Sequence, residues 1–220
     1  MRLARGIGLG MAVGLGAWLA MPALSGGSGP AGAALAAADR IAIASKVSGT
    51  VHRESAGQRI DLKVGDPVHS ADHVLTGQDG RVRLQFPDGS TVVVGPGSDL
   101  EVASYDMKSE TSPGGLLRLA EGILRAIVDT MPANGQFAVA APTAVAAVRG
   151  TAFVVEASAD NTGVFVIDGI VSVSAAGESG APVTVQNNRG TDVPKGGTPT
   201  EPAPWGTDRI KKVFALTKLD

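Results

Sequence analysis

From position 81 the chain reads Arg81-Val82-Arg83-Leu84-Gln85-Phe86, turns through Pro87-Asp88-Gly89-Ser90 and returns as Thr91-Val92-Val93-Val94. Strict alternation of polar and apolar residues matches the two-residue period of a strand with one buried and one wet face. An Asp-Gly step between two such runs is a strong hairpin signal, because it supplies the positive φ values that tight turns need. A chain built around this unit is committed to antiparallel sheet.

The same grammar recurs along residues 41–190. Short β-branched runs at 47–51, 60–64, 99–105, 137–140, 145–148, 152–156, 164–167 and 171–174 alternate with Gly, Pro, Asp and Asn punctuation. Residues 116–119 and 123–128 read as a strand pair around Glu121-Gly122, and Asp168-Gly169 reads as a second turn between apolar strands. Residues 183–185 add an edge strand, and Ser/Thr/Pro/Gly-rich residues 109–115 read as a mobile loop. Aromatic residues make up only 4% of the chain, so the core must come mainly from Val, Ala, Leu and Ile. The expected architecture is all-β, either a sandwich of two packed antiparallel sheets or a β-roll or solenoid of short strands.

Beyond the β region the period changes. Residues 191–206 are rich in Gly, Pro and Thr and read as a linker. In residues 207–220, Ile210, Val213, Phe214 and Thr217 recur at helical spacing, with Thr207 placed to cap the first turn. A short C-terminal helix is expected, docking Trp205 and Phe214 on the β body.

Residues 1–38 read as a targeting segment. Arg2 and Arg5 precede an uncharged run over residues 7–24, and a small-residue stretch follows it. A short positive region, an apolar core and an Ala-x-Ala site describe a secretory signal peptide, here with cleavage after Ala36 or Ala38. Retention as a membrane anchor is the alternative, since 18 uncharged residues approach a bilayer span. The expected location is the periplasm, or else the inner membrane or the exterior. With no cysteine, an exported domain of this sequence has no disulfide, thiol nucleophile or lipid-attachment cysteine. Without residues 1–38 the balance is 17 basic against 21 acidic side chains, which leaves no basic stripe for a nucleic acid.

Several motifs, in order, resemble the FecR domain family. The hairpin at 77–90 with Asp88, Gly89 and Ser90 looks like the family's charged strand and Asp-Gly-Ser turn, and Gly65, Asp66 and Thr76 resemble its upstream landmarks. Pro142-Thr143 leading into Arg149-Gly150-Thr151-Ala152-Phe153 resembles its most specific motif, although Ala141 stands where the family commonly has threonine. Asp168-Gly169 falls in the closing strands, so the resemblance covers residues 46–175. As residues, these landmarks read mainly as structural: glycines at turns, threonines bonding backbone, and Arg81 and Arg149 in ion pairs with nearby carboxylates, with ligand binding as the alternative for the two arginines. In the family's iron-uptake regulators the domain is the periplasmic part of a membrane sensor that carries a cytoplasmic anti-sigma segment. Only six residues precede the apolar run here, which reads as a stand-alone exported form.

No catalytic constellation is evident. His69 and His73, with Asp66 and Asp72 nearby, are the candidate metal group, but they read as exposed loop residues, and no cofactor is expected. Asp99 and Glu101 share a strand face as a glycosidase dyad would, yet a solvated edge is the plainer reading. No Gly-x-Ser-x-Gly elbow or phosphate loop occurs. The expectation is therefore a non-catalytic envelope module that binds a protein or glycan partner or signals, with a self-associating scaffold as the alternative and a wall-polymer hydrolase behind both.

Overall fold

The computed structural model describes residues 40–106, 109, 111, 114–129, 134–177 and 180–219. The targeting segment at 1–38 lies outside these residues, as does part of the loop expected at 109–115.

The strands run in order as β1 (Arg40–Ser48), β2 (Val51–Ser55), β3 (Gln58–Asp61), β4 (Pro67–His69), β5 (His73–Thr76) and β6 (Arg81–Gln85). Next come β7 (Thr91–Val94), β8 (Asp99–Asp106), β9 (Gly114–Val128), β10 (Gln136–Ala140) and β11 (Ala144–Val148). The series closes with β12 (Thr151–Ala157), β13 (Asn161–Asp168), β14 (Ile170–Ala175), β15 (Val183–Gln186), β16 (Gly190–Pro194) and one helix, α1 (Thr207–Leu216).

They form two sheets joined through β9. The first sheet has the order β4-β1-β6-β7-β9-β12-β13-β16, and the second β3-β2-β5-β8-β9-β10-β11-β14-β15. All pairs are antiparallel except β9 with β10. One core cluster takes side chains from both sheets, including Leu84, Val92 and Leu124 from the first and Val74, Leu117 and Phe137 from the second. Phe137 and Phe153 are fully buried there, each stabilising the fold by about 1.5–3 kcal/mol through removal of apolar surface from water. The two architectures left open by the sequence are thus combined: two facing sheets, wound by a chain that crosses repeatedly between them.

Three sequence expectations are corrected. The run 47–51 is split at Gly49, where the chain leaves the first sheet for the second, and the run 60–64 stops being a strand after Asp61. Residues 116–119 and 123–128 are not a paired hairpin but two halves of the single strand β9. Its first half pairs with β8 and β10 and its second half with β7 and β12. Gly122 is the reason: at φ +99° it bends the strand from one sheet into the other without closing a turn. Other crossings also carry a residue with positive φ, at Gly49, Ala71, Gly97, Gly150, Gly169 and Asn188. Asp168-Gly169 accordingly links strands of different sheets, since β13 pairs with β12 and β16 while β14 pairs with β11 and β15.

The linker expected at 191–206 begins inside β16, which pairs with β13. Thr200 and Ala203 then hydrogen-bond along the outer edge of β16, which covers that edge. The helix forms where expected, but Gly206 holds the N-cap position and no side chain caps it, so Thr207 is the first helical residue instead. Val213, Trp205, Ile210 and Phe214 pack on Ile123, Val154 and Phe165 of the first sheet's outer face.

Candidate functional site

Most of the landmark residues act as fasteners. In the five-residue connection between Gln85 and Thr91 only Gly89 has positive φ, so this is a wider loop than a two-residue primed turn. Ser90 is buried; its N–H and hydroxyl donate to the two carboxylate oxygens of Asp88 at 3.0 and 2.7 Å. The same hydroxyl accepts the Asp129 N–H at 3.0 Å, which ties the turn to the end of β9. Tyr105 stacks on Phe86 nearby; burial, and then Asp88, raise the pKa of its phenol above the ordinary value.

Thr76 donates to the Gly95 carbonyl at 2.6 Å and accepts the Ser98 N–H at 2.8 Å. Ser98 donates to the Gly95 carbonyl and accepts the Ile123 N–H, both at 2.9 Å, beside the bend at Gly122. Upstream, Gly65 has φ +93° and Asp66 accepts the Lys63 N–H at 2.8 Å, closing the passage into β4. Asp168 is held by the Asn187 amide, whose oxygen accepts the Gly169 N–H. Pro142 is exposed, whereas the neighbouring Thr143 is buried, donates to the Val193 carbonyl at 2.7 Å and lies 2.7 Å from the Thr162 hydroxyl. Ser98 and Thr143 were not singled out in the sequence, although a hydroxyl next to a Gly-Pro-Gly or a proline is the signal that marks them.

The Arg149-Gly150-Thr151 motif does more than fasten. Here two crossings lie against each other: Thr151 donates to the Ile170 carbonyl at 3.0 Å, and a Cβ on Gly169 would stand 3.1 Å from the Gly150 oxygen. The space beside them is a groove of ≈ 590 Å³ lined by Gln136, Arg149, Gly150, Thr151, Gly169 and Ile170. Arg149 is exposed, and among the described residues it has no ion pair or hydrogen bond. Ile170 is 57% exposed. An unpaired guanidinium beside an uncovered aliphatic side chain can contact a carboxylate-bearing surface and an apolar group together. Phe153, by contrast, lies wholly in the core.

The ion pairs expected for Arg81 and Arg149 are therefore both absent among the described residues. Arg81 instead donates to the Leu216 carbonyl at 2.9 Å, at the end of α1, where the last turn leaves carbonyls without intrahelical partners.

The histidines sit on strands and not in exposed loops. His52 lies 3.0 Å from Asp61 and His73 2.9 Å from Asp99. His69 shares buried Asp72 with Arg53, whose guanidinium lies 3.1 Å from the His69 ring nitrogen and donates to the Pro67 carbonyl. A cation already occupies that position, and no group of three or more potential metal ligands occurs among the described residues. Asp99 and Glu101 do share a face, but each is engaged, Asp99 by His73 and Glu101 by Arg118 at 2.9 Å.

Residues 72–172 match the family described as FecR protein, a span containing the Asp88 turn, the Arg149 motif and Gly169. Two crystal structures described as a "putative anti-sigma factor" from Parabacteroides distasonis ATCC 8503 share the fold, with TM-scores of 0.52 and 0.50. They are 19% and 17% identical, the match covers 63% of this chain, and it spans only 62% of each solved chain. No curated protein matches the sequence.

Proposed function

We propose, from the premise that residues 72–172 form a FecR domain, that the protein is a non-catalytic binding and signalling module of the cell envelope. The observation that carries this reading is the groove at the Arg149-Gly150-Thr151 crossing, where a family motif presents an unpaired arginine beside exposed Ile170. Residues with a purely structural task in this fold are buried or bonded, as Ser90, Thr143 and Thr151 are. Among the described residues Arg149 is neither, so its contribution lies outside the fold.

Export is part of the proposal and rests on Arg2, Arg5 and the apolar run at 7–24. The partner is an envelope protein or glycan. A tagged full-length chain cross-linked in a Gram-negative host should capture the same partner repeatedly, and Arg149→Ala should abolish the capture. Equal capture by the variant would remove the groove from the mechanism. Fractionation of the same cells reads the location: an intact mass starting at Ala37 or Asp39 in the soluble periplasm supports a diffusible module, and a full-length mass in the membrane pellet supports a tethered one.

A further inference from the structure

Strand pairing aligns cations that the sequence keeps far apart. Lys46 of β1 stands opposite Arg83 of β6, Arg83 opposite Val93 of β7, and Val93 opposite Arg125 of β9. Directly opposed residues share a sheet face. Their neighbours Val82, Leu84, Val92, Val94, Leu124 and Ala126 fill the core. Lys46, Arg83 and Arg125 therefore form one row on the outer face, with Arg81 two residues along β6 on the same side. The row is short and is assembled only by the strand pairing of the folded chain.

Among the described residues this row has no counter-charge: Lys46, Arg83 and Arg125 form no ion pair. Arg81 and Arg83 donate to the Leu216 and Leu219 carbonyls at the end of α1, which leaves Arg125 without an acceptor; its Nε is buried with no partner. Burial, and then the charge of Arg83, lower the pKa of Arg125 from its ordinary value, so the cation is held there at an energetic cost. Between the two arginines and the end of α1 lies a cleft of ≈ 370 Å³, walled by Phe214 and Lys218. A second hollow of ≈ 180 Å³, over Val93 and Ile127, shares both arginines.

We propose that the cleft between Arg83 and Arg125 binds a phosphate-type oxyanion. A tetrahedral dianion answers two adjacent guanidinium groups with several charge-assisted hydrogen bonds. A monocarboxylate would leave one charge uncompensated. The apolar flank of Phe214 and the 53%-exposed Ile127 gives the remainder of the ligand a surface to lie on. The oxyanion belongs either to a small phosphorylated solute or to a lipid headgroup.

The test uses the full chain with inorganic phosphate as the probe and chloride at matched ionic strength as the control. Thermal midpoint and titration calorimetry should show stabilisation by phosphate with one site per chain. Arg125→Gln should weaken phosphate binding by about tenfold or more, the loss of one bidentate charged contact. In the absence of phosphate the same variant should melt at about the temperature of the parent, because the partly desolvated charge it removes faces the Phe214 ring at 5.8 Å and no carboxylate among the described residues. Arg83→Gln supplies a second reading should Arg125→Gln not fold. Flotation with phosphatidylglycerol against phosphatidylcholine vesicles separates the sources: variant-sensitive capture by the anionic vesicles indicates a headgroup, and phosphate binding without such capture indicates a solute. Phosphate and chloride acting alike, or both variants binding phosphate as the parent does, would overturn the proposal.

Discussion

The Arg209 guanidinium donates to both carboxylate oxygens of Asp192, at 2.8 and 2.9 Å, while its Nε donates to Glu156 at 2.8 Å. It lies 3.4 Å over the Trp205 ring, which in turn stacks on Phe165. One side chain in the first turn of α1 thus joins the helix to β12 and β16, at the place where no side chain caps the helix. A planar fork with parallel bonds to a carboxylate and a face on an indole is a role that lysine cannot fill.

Arg209→Lys is therefore expected to loosen α1 without disturbing the core. Both partners are about one-third exposed, so solvent screening limits the loss to about 1–2 kcal/mol. The denaturant midpoint should fall accordingly, and amide exchange in residues 207–216 should accelerate while β9 and β12 stay protected.

The same pair sets an acid limit. Burial pushes the Asp192 carboxyl up, but hydrogen bonds from Arg209 and Asn161 and the Arg209 charge outweigh it, holding the group below its ordinary 3.8. A folded-state pKa lower than the unfolded one gives stability that is complete above the unfolded value and is lost as pH falls through the folded value. The parent should lose stability more steeply than Asp192→Asn as the pH falls below the ordinary carboxyl value of 3.8, measured by urea unfolding. Parallel curves would show that Asp192 is not a contributor.

These contacts also mark what the sequence could and could not reveal. The hairpin at Asp88-Gly89, the strands on either side of it, and the helix carrying Val213 and Phe214 are local patterns, legible because period and turn chemistry act over a few residues. The strand pair read into residues 116–128 failed for a related reason: Gly122 signals a positive φ, and nothing local distinguishes a reversal from a bend between sheets. Pairings such as Arg83 with Val93 and Arg125, or Arg209 with Asp192, join residues separated by many positions, so neither the basic row nor the helix anchor was visible. Arg149 was picked out by its motif, and its lack of a partner required the folded chain.

Gly122 permits a direct check of the bend. A Cβ there would stand 2.1 Å from the Ser98 hydroxyl oxygen and 2.5 Å from the Ser98 Cα, in addition to the cost of φ +99°. Gly122→Ala should destabilise by about 3 kcal/mol or more, since strain and overpacking add. Gly57→Ala is the control: φ is +77° but nothing lies within 4 Å, so only the smaller backbone cost of about 1 kcal/mol is expected. Equal losses in thermal or urea unfolding would mean that the crowded passage at Ser98 does not fix the bend.

The groove at Arg149 calls for the opposite result. Arg149 is exposed, without a hydrogen bond or ion pair among the described residues, while the adjacent Thr151 is buried and bonded to the Ile170 carbonyl. Arg149→Ala should leave the unfolding midpoint within about 0.5 kcal/mol of the parent, as surface changes without structural contacts do. Thr151→Val keeps the shape but leaves the Ile170 carbonyl unanswered, and should cost about 1–3 kcal/mol. If partner capture then fails for Arg149→Ala at unchanged stability, the arginine acts on the partner directly. A stability loss in Arg149→Ala as large as that of Thr151→Val would instead assign the arginine to the fold, and the groove would lose its recognition cation.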